Sequence, residues 1–356
     1  MCNGLVAAYA VPSLETGSEE GMAVIRNAWY AVAAVSEADT GWFTVQLLGQ
    51  SLLVVRMDHG GWRAVGRYCP HRGCDLSLGK EEDGLLVCPF HGWAFDATGA
   101  CVRVPANTEG QAIPKAARLT VFPVREMAGL IWVRARPEAD GAAAPPHIPL
   151  SLFPELGNPD YQGCTFSATW NAHFTRVVES VLDISHLPFV HPDTTGHDVS
   201  PVVRTVDYRV HDDGLVIHPA PFVPAHPLEP PRPYVNSEER VQIAFTYPNH
   251  WIIRAPVAGD ASMCTYLTFT PLDDEHTRIF GKTLRNFAQD AEFLDDHHLS
   301  HTLKVMGEDQ RIIESVRPRM APADMRREAH VPSDVPALHV RRWLYDALAA
   351  ESESCL

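Results

Sequence analysis

The sequence predicts an α+β chain: an all-β N-terminal half, then a C-terminal half of antiparallel strands and helices. Three observations predict it. Short apolar runs separated by Gly-bearing turns recur roughly every ten residues between Trp42 and Val133. The Ala- and Pro-rich stretch Arg134–Pro149 has no apolar period and divides the chain. Beyond it, strand-like runs give way to two segments whose apolar spacing is helical. A chain of 356 residues holds two domains at roughly 150 residues each, and 46% apolar against 21% charged residues is a globular balance.

Taken in order, residues 1–26 read as a weakly ordered leader, rich in Gly, Ser and Glu. Phe43–Leu48 and Leu52–Met57 flank a Gly49–Gln50–Ser51 turn, Trp62–Gly66 follows the Asp58–Gly61 turn, and Trp93–Asp96 runs into Thr98–Gly99. The expected divisions are residues 27–136 for the β-rich domain, 137–149 for a linker and 150–350 for the second domain. There, Thr165–Ala172 reads as a strand and Arg176–Ser185 as a helix stopped near Pro188. Strands are expected at Val202–Val210, Leu215–His218, Glu239–Tyr247, His250–Pro256 and Met263–Thr270, with Asp212–Asp213–Gly214 as a hairpin turn. Ala220–Pro233 is a Pro-rich insertion, either a surface loop or a lid. A long helix is expected from Asp290 to about Val316, and an amphipathic one from an N-cap at Ser333 toward Ala350.

Lys+Arg 29 against Asp+Glu 44 gives a net charge of −15, which argues against nucleic-acid binding driven by phosphate contacts. No apolar run approaches the ~18 residues of a membrane-spanning helix. The apolar start Met1–Pro12 has no Lys or Arg before it and does not read as a signal peptide. Eight cysteines are too sparse for a disulfide scaffold. The expectation is a soluble cytoplasmic protein with reduced thiols, in which clustered cysteines point to metal.

Such a cluster stands in the β-rich half. Cys69-Pro-His71 and Cys88-Pro-Phe-His91 each offer one thiolate and one imidazole from a short loop. A structural zinc of Cys2His2 type is the alternative, but it usually pairs Cys with Cys and His with His. Cys-x-His followed by Cys-x-x-His better fits a two-iron, two-sulfide cluster in which one iron takes both thiolates and the other both imidazoles. YCPHRG at Tyr68–Gly73 and CPFHGW at Cys88–Trp93 resemble the two loops of a Rieske [2Fe-2S] domain. In the respiratory Rieske proteins a disulfide staples these loops. Cys74 occupies one half of that position and Phe90 the other, so the resemblance is to the oxygenase-type variety with Cys74 as a free thiol. Arg67, Arg72, Lys80 and Arg103 around the loops could steer an acidic partner or be plain surface.

A second constellation follows the linker. Glu179, Asp183 and His186 are spaced i, i+4, i+7, as on one face of a helix, and His191 lies five residues on, beyond Pro188. Two imidazoles and a carboxylate from elsewhere would complete a 2-His-1-carboxylate face with open coordination positions for O2. ESVLDISHLPFVH at Glu179–His191 is similar to the iron-binding segment of Rieske non-heme iron oxygenases, and with the Rieske loops the resemblance covers about Asn27 to Leu348. The smaller monooxygenase-type members are the most alike: the vanillate and dicamba demethylases, the pheophorbide oxygenase group and the saxitoxin-pathway hydroxylases.

The resemblance implies a terminal oxygenase that uses O2 to hydroxylate or O-/N-dealkylate a small aromatic, heterocyclic or alkaloid-like substrate. It implies cluster ligands Cys69, His71, Cys88 and His91, and iron ligands His186 and His191. GEDQRIIESVRP at Gly307–Pro318 resembles the helix carrying the third ligand, matched by Asp309 with Glu308 and Glu314 as competitors. Asp183 matches a carboxylate that bridges a cluster histidine of one subunit, with His91 preferred, to His186 of the next in a head-to-tail homotrimer. Many relatives carry Asn where this chain has Ser180, whose shorter side chain leaves room for a water or for substrate. With no Gly-rich dinucleotide fingerprint in the sequence, electrons are expected from NAD(P)H through a separate reductase or ferredoxin. Two rival readings remain at this level, a Rieske electron carrier with a partner-docking C-terminal half and a zinc-stabilised binding module. Phe222, Trp251, Tyr266 and Phe269 read either as pocket lining or as core.

Overall fold

Among the described residues, eleven short strands build the N-terminal unit, Arg26–Ile148, in the computed structural model. The structure describes residues 25–57, 61–137, 148, 153–196, 199, 201–203, 206–219 and 241–353. The expected leader (residues 1–24), most of the linker and the Pro-rich insertion with Phe222 lie outside them. The strands are β1 (Trp29–Ala34), β2 (Trp42–Leu47), β3 (Gln50–Arg56), β4 (Trp62–Gly66), β5 (Lys80–Glu82), β6 (Leu85–Val87), β7 (Ala94–Phe95), β8 (Cys101–Arg103), β9 (Val121–Phe122), β10 (Val124–Met127) and β11 (Leu130–Arg134). They pair antiparallel in three sheets, β1-β11-β10, β2-β3-β4-β9 and β5-β6-β7-β8. Leu53, Val55, Val65, Leu76, Leu86 and Phe95 form a buried core that also contains Cys69 and Cys88. The two candidate thiol ligands are therefore rooted in the packing that holds the sheets together.

The second unit, Met1–Ile25 with Pro149–Leu356, is organised by one seven-stranded antiparallel sheet. Its strands are β12 (Thr165–Trp170), β13 (Asp207–His211), β14 (Gly214–His218), β15 (Gln242–Thr246), β16 (His250–Ala258), β17 (Ala261–Pro271) and β18 (Thr277–Arg285), in the order β12-β18-β17-β16-β15-β14-β13. The helices are α1 (Phe174–Ser180), α2 (Leu187–Val190), α3 (Glu292–Ile313) and α4 (Val335–Glu353). Among the described residues no helix is long and apolar enough to cross a membrane.

Four differences from the expected elements stand out, three of them with a plain physical cause. Strand β1 was not expected because all six of its residues are buried, which erases the alternation that marks a half-exposed strand. Strand β18 was not expected because Arg278, Lys282, Arg285 and the central Gly281 interrupt its apolar pattern. It nevertheless lies between β12 and β17, with Gly281 paired to Phe166, whose ring covers the missing side chain. The strand expected at Val202–Val210 is displaced to Asp207–His211. The helix expected over Arg176–Ser185 ends at Ser180, and Pro188 does not stop it but occupies the first turn of α2, where its missing N–H costs nothing.

Buried ion pairs fix the helices. Arg285, fully buried at the end of β18, bonds both carboxylate oxygens of Asp295 in the first turn of α3 and the carbonyls of Phe287, Ala288 and Ala291. Glu179 of α1 accepts both bonds of a bidentate pair from Arg341 of α4, while Arg176 and Arg341 share Glu328. The indole N–H of Trp251 in β16 donates to the carbonyl of Val181 at 2.9 Å and anchors the turn that follows α1.

Candidate cluster and metal centres

The loops at Cys69 and Cys88 share one hydrogen-bond pattern. Cys69 N–H donates to the Cys74 carbonyl at 2.9 Å and Gly73 N–H to the Cys69 carbonyl at 2.8 Å. In the second loop Cys88 N–H donates to Trp93 at 2.8 Å and Gly92 N–H to Cys88 at 3.0 Å. Gly73 and Gly92 stand at φ +67° and +68°, the left-handed backbone that each loop needs to turn back over its cysteine. The loops converge: the His71 and His91 rings are 4.6 Å apart, and Trp93 stacks on His71 at 4.3 Å, 7° from parallel. His71 Nδ1 is buried without a hydrogen-bond partner, as expected of an atom kept for a metal. Burial pushes the Cys69 thiol up to about 11, so thiolate forms there only when a cation compensates. With two buried thiols and two imidazoles from twin loops, the residues present fit a [2Fe-2S] cluster.

Of the four basic residues beside the loops, three are neutralised. Arg67 binds Asp75 at 2.5 Å, and Lys80 and Arg103 bind Glu82 at 2.5 and 3.0 Å. Cys74 is a half-buried free thiol.

The second centre assembles from the turn after α1, the two ends of α2 and the C-terminal part of α3. His186 caps the N-terminus of α2 and His191 its C-terminus. Their Nε2 atoms lie 3.3 Å apart, and Asp309 Oδ1 lies 3.5 Å from the first and 3.0 Å from the second. The three ligand atoms fall within 4.8 Å of one another, the one such group of three among the described residues. His191 is fully buried, and His186 and Asp309 are one-fifth exposed, so the face is open on one side. Burial lowers the His191 pKa, but Asp309 and Glu308 outweigh it and the net shift is upward. A pocket that favours a cation in this way, with two imidazoles and one carboxylate converging, fits a non-heme iron.

The spacing of Glu179, Asp183 and His186 does not reflect one helical face. Glu179 lies in α1 and serves Arg341, whereas Asp183 and His186 follow the end of the helix. Asp183 Oδ1 accepts from the Ser185 N–H and hydroxyl at 2.7 Å each, closing the turn, and Oδ2 faces His186 Nδ1 at 3.6 Å. Burial raises the Asp183 pKa, but bonds from His186 and Ser185 prevail and keep it below the usual carboxylate range. Ser180 donates to the Val177 carbonyl of its own helix at 2.9 Å. Glu314 accepts from Asn171 N–H and Gln310, away from the imidazoles. Trp251, Tyr266 and Phe269 are core residues.

Comparison with known proteins bears on both centres. The Rieske [2Fe-2S] domain model matches residues 28–123. The model of the vanillate O-demethylase oxygenase C-terminal domain matches residues 170–350, just over half of the chain. The chain belongs to the Rieske terminal oxygenases. Among curated relatives of this oxygenase is the methylxanthine N1-demethylase NdmA of Pseudomonas putida, 28% identical over 92% of this chain and 91% of the relative. Among solved structures, Pseudomonas putida CBB5 NdmB is 25% identical with a TM-score of 0.75, covering 94% of each chain. Dicamba monooxygenase bound to dicamba shares the fold at 22% identity and a TM-score of 0.72, covering 94% of this chain and 99% of that one. The oxygenase is thus an O2-dependent oxidoreductase carrying a [2Fe-2S] domain, in a family that works with substrate, O2 and a reductase or ferredoxin. The electron-carrier and zinc-module readings give way to it.

Proposed function

We propose that the oxygenase holds its cluster through Cys69, His71, Cys88 and His91 and a mononuclear iron through His186, His191 and Asp309, and that it demethylates a small N- or O-methylated heterocycle or aromatic. The observation that carries the reading is the convergence of two imidazole nitrogens and one carboxylate oxygen within 4.8 Å. The open coordination face that this donor set leaves suits O2. The N-demethylase relative, alike over nine-tenths of both chains, supports methylated heterocycles as the first class to test.

When bound, the iron supplies O2 activation and the cluster supplies electrons one at a time. The chain's own residues do the rest. His186, His191 and Asp309 present three donors on one side and leave the other side to substrate and O2. Asp183, with Oδ1 held by Ser185, keeps Oδ2 beside His186 Nδ1 and available to a second N–H donor. In a head-to-tail homotrimer that donor is His91 of the neighbouring subunit, and Asp183 links the centres across the subunit boundary. For an N-methyl group the overall change balances simply. The methylated nitrogen compound, one O2, two electrons and two protons give the N–H compound, one formaldehyde and one water. The electrons come from NAD(P)H through a separate reductase, and a cytoplasmic setting supplies both.

The test is turnover of methylated purines, N-methyl heterocycles and aryl methyl ethers by the iron-loaded protein with NADH and a reductase. One formaldehyde released per O2 consumed is the expected result. O2 uptake that no methylated compound stimulates, in protein carrying both metals, would overturn the demethylase reading. Formation of a hydroxylated product without formaldehyde would reassign the reaction to hydroxylation.

A further inference from the structure

His191 differs from His186 in how its second nitrogen is held. Its Nδ1 lies 2.8 Å from Glu308 Oε2, and the same oxygen accepts the Thr194 hydroxyl at 2.7 Å. Consecutive helical residues point about 100° apart. Glu308 and Asp309 can therefore grip opposite edges of one ring, Glu308 at Nδ1 and Asp309 at Nε2, 3.0 Å away. Thr194 reaches the same carboxylate because the chain folds back over His191. Thr194 N–H and Gly196 N–H both donate to the His191 carbonyl, at 3.1 and 2.9 Å. Gly196 lies against α2 so closely that a Cβ there would stand 1.9 Å from the Leu187 carbonyl oxygen. On His186 the corresponding contact, to Asp183, is 3.6 Å and on a side chain one-third exposed.

We propose that Glu308 is a positioning residue of the metal centre: by accepting from His191 Nδ1 and Thr194 Oγ1 it fixes the ring orientation and keeps the His191 Nε2 lone pair on the metal. The proposal rests on the ligand reading of His191 given above. A ring that donates Nδ1–H to a carboxylate has its proton fixed on that nitrogen, and Nε2 is left unprotonated and more basic. Thr194 donates to the same oxygen and holds the carboxylate against the ring. The pair is internal to the chain, so His191 is the rigid side of the centre. His186, with its longer contact, is the adjustable side.

The test measures Fe(II) affinity anaerobically on full-length, cluster-loaded protein from which the mononuclear iron has been removed, with Co(II) absorption as a second readout. Glu308→Gln should weaken Fe(II) binding about tenfold and Glu308→Ala further, toward a hundredfold. Both should shift the Co(II) ligand-field bands while leaving the cluster spectrum intact. Thr194→Val removes a hydrogen bond but no charge and should weaken binding roughly threefold. Glu314→Gln removes the same charge at the C-cap of that helix and should bind as wild type. Wild-type affinity in both Glu308 variants, or an equal loss in Glu314→Gln, would overturn the proposal. If either Glu308 variant lost its cluster spectrum, Thr194→Val would decide alone. Full iron binding by both His186→Ala and Asp309→Ala would instead overturn the ligand reading itself.

Discussion

At the scale of single residues, each centre is a set of donors that burial alone would make unfavourable. A buried thiol pair, an orphaned imidazole nitrogen at His71 and three donors crowded around one point near Asp309 each carry a cost that a metal removes. The two sets can be separated by substitution. Cys69→Ser and His91→Ala should abolish the visible absorption that dithionite bleaches. His186→Ala and Asp309→Ala should keep that absorption, fall from about three irons per chain to about two, and lose product formation. Iron analysis beside the absorption spectrum checks both. Normal turnover by Asp309→Ala would move the carboxylate assignment elsewhere on α3. The candidate Cys and His donors were legible in the sequence because pairs close together in the chain leave a spacing. Asp309 was marked only by the resemblance of Gly307–Pro318 to the family's ligand-bearing helix. Glu308 was legible only as a competitor for Asp309, since its partners His191 and Thr194 lie more than a hundred residues away. Nothing in the order of residues marks Thr194 at all.

At the scale of elements, the sheet of the second unit depends on strand β18, whose Gly281 is covered by the Phe166 ring across the pair. A Cβ at position 281 would stand 2.2 Å from Phe166 Cζ, and a buried ring lying across the strand pair has little freedom to retreat. Gly281→Ala should therefore cost about 1–3 kcal/mol in urea unfolding despite the better intrinsic strand propensity of alanine. The same glycine, with Arg278, Lys282 and Arg285, is why β18 was not legible as a strand. Its polar side chains answer to distant partners, as Arg285 does to Asp295, and a periodicity argument sees only neighbours. Helix α1 was overextended for a related reason. Its apolar residues run past Ser180, but Asp183 turns back on Ser185 and ends the regular structure. Buried histidines add a pH dependence to these elements. Burial pushes His173, the cap of α1, and His298 of α3 each down to about 4. Below pH 6.5 the unfolded chain takes up protons that the folded chain refuses, so stability falls progressively between pH 6.5 and 4. Each group contributes up to roughly 3 kcal/mol at the acid end. His298→Gln should flatten part of that slope, read from urea midpoints at pH 7 and pH 4.5. An unchanged slope would show that His298 is protonated in the folded chain.

At the scale of the whole molecule, the proposed relay through Asp183 runs between chains, and this separates it from any scheme confined to one chain. If electrons cross a subunit boundary, a chain with a broken cluster, Cys69→Ser, still hosts a working iron. A neighbour with a broken iron site, His186→Ala, still supplies the cluster. Each variant alone should be inactive, while oligomers formed by co-expressing the two should recover part of the wild-type rate. Recovery stays below wild type because only boundaries that join an intact cluster to an intact iron conduct. The discriminating step is to add Asp183→Asn to the chain that keeps its iron. The amide retains the size of the side chain, and its oxygen can still close the turn with Ser185. It carries no charge, however, and its NH2 group cannot accept from an imidazole. That substitution should abolish the recovered activity while both metals remain bound, as judged by iron content and the cluster spectrum. Placed instead in the chain whose iron site is already broken, the same substitution should change nothing, because the carboxylate acts only beside a working His186. Mixed oligomers that carry both chains and both metals yet show no turnover would mean that electrons do not pass between subunits, and Asp183 would then be a residue of the turn alone.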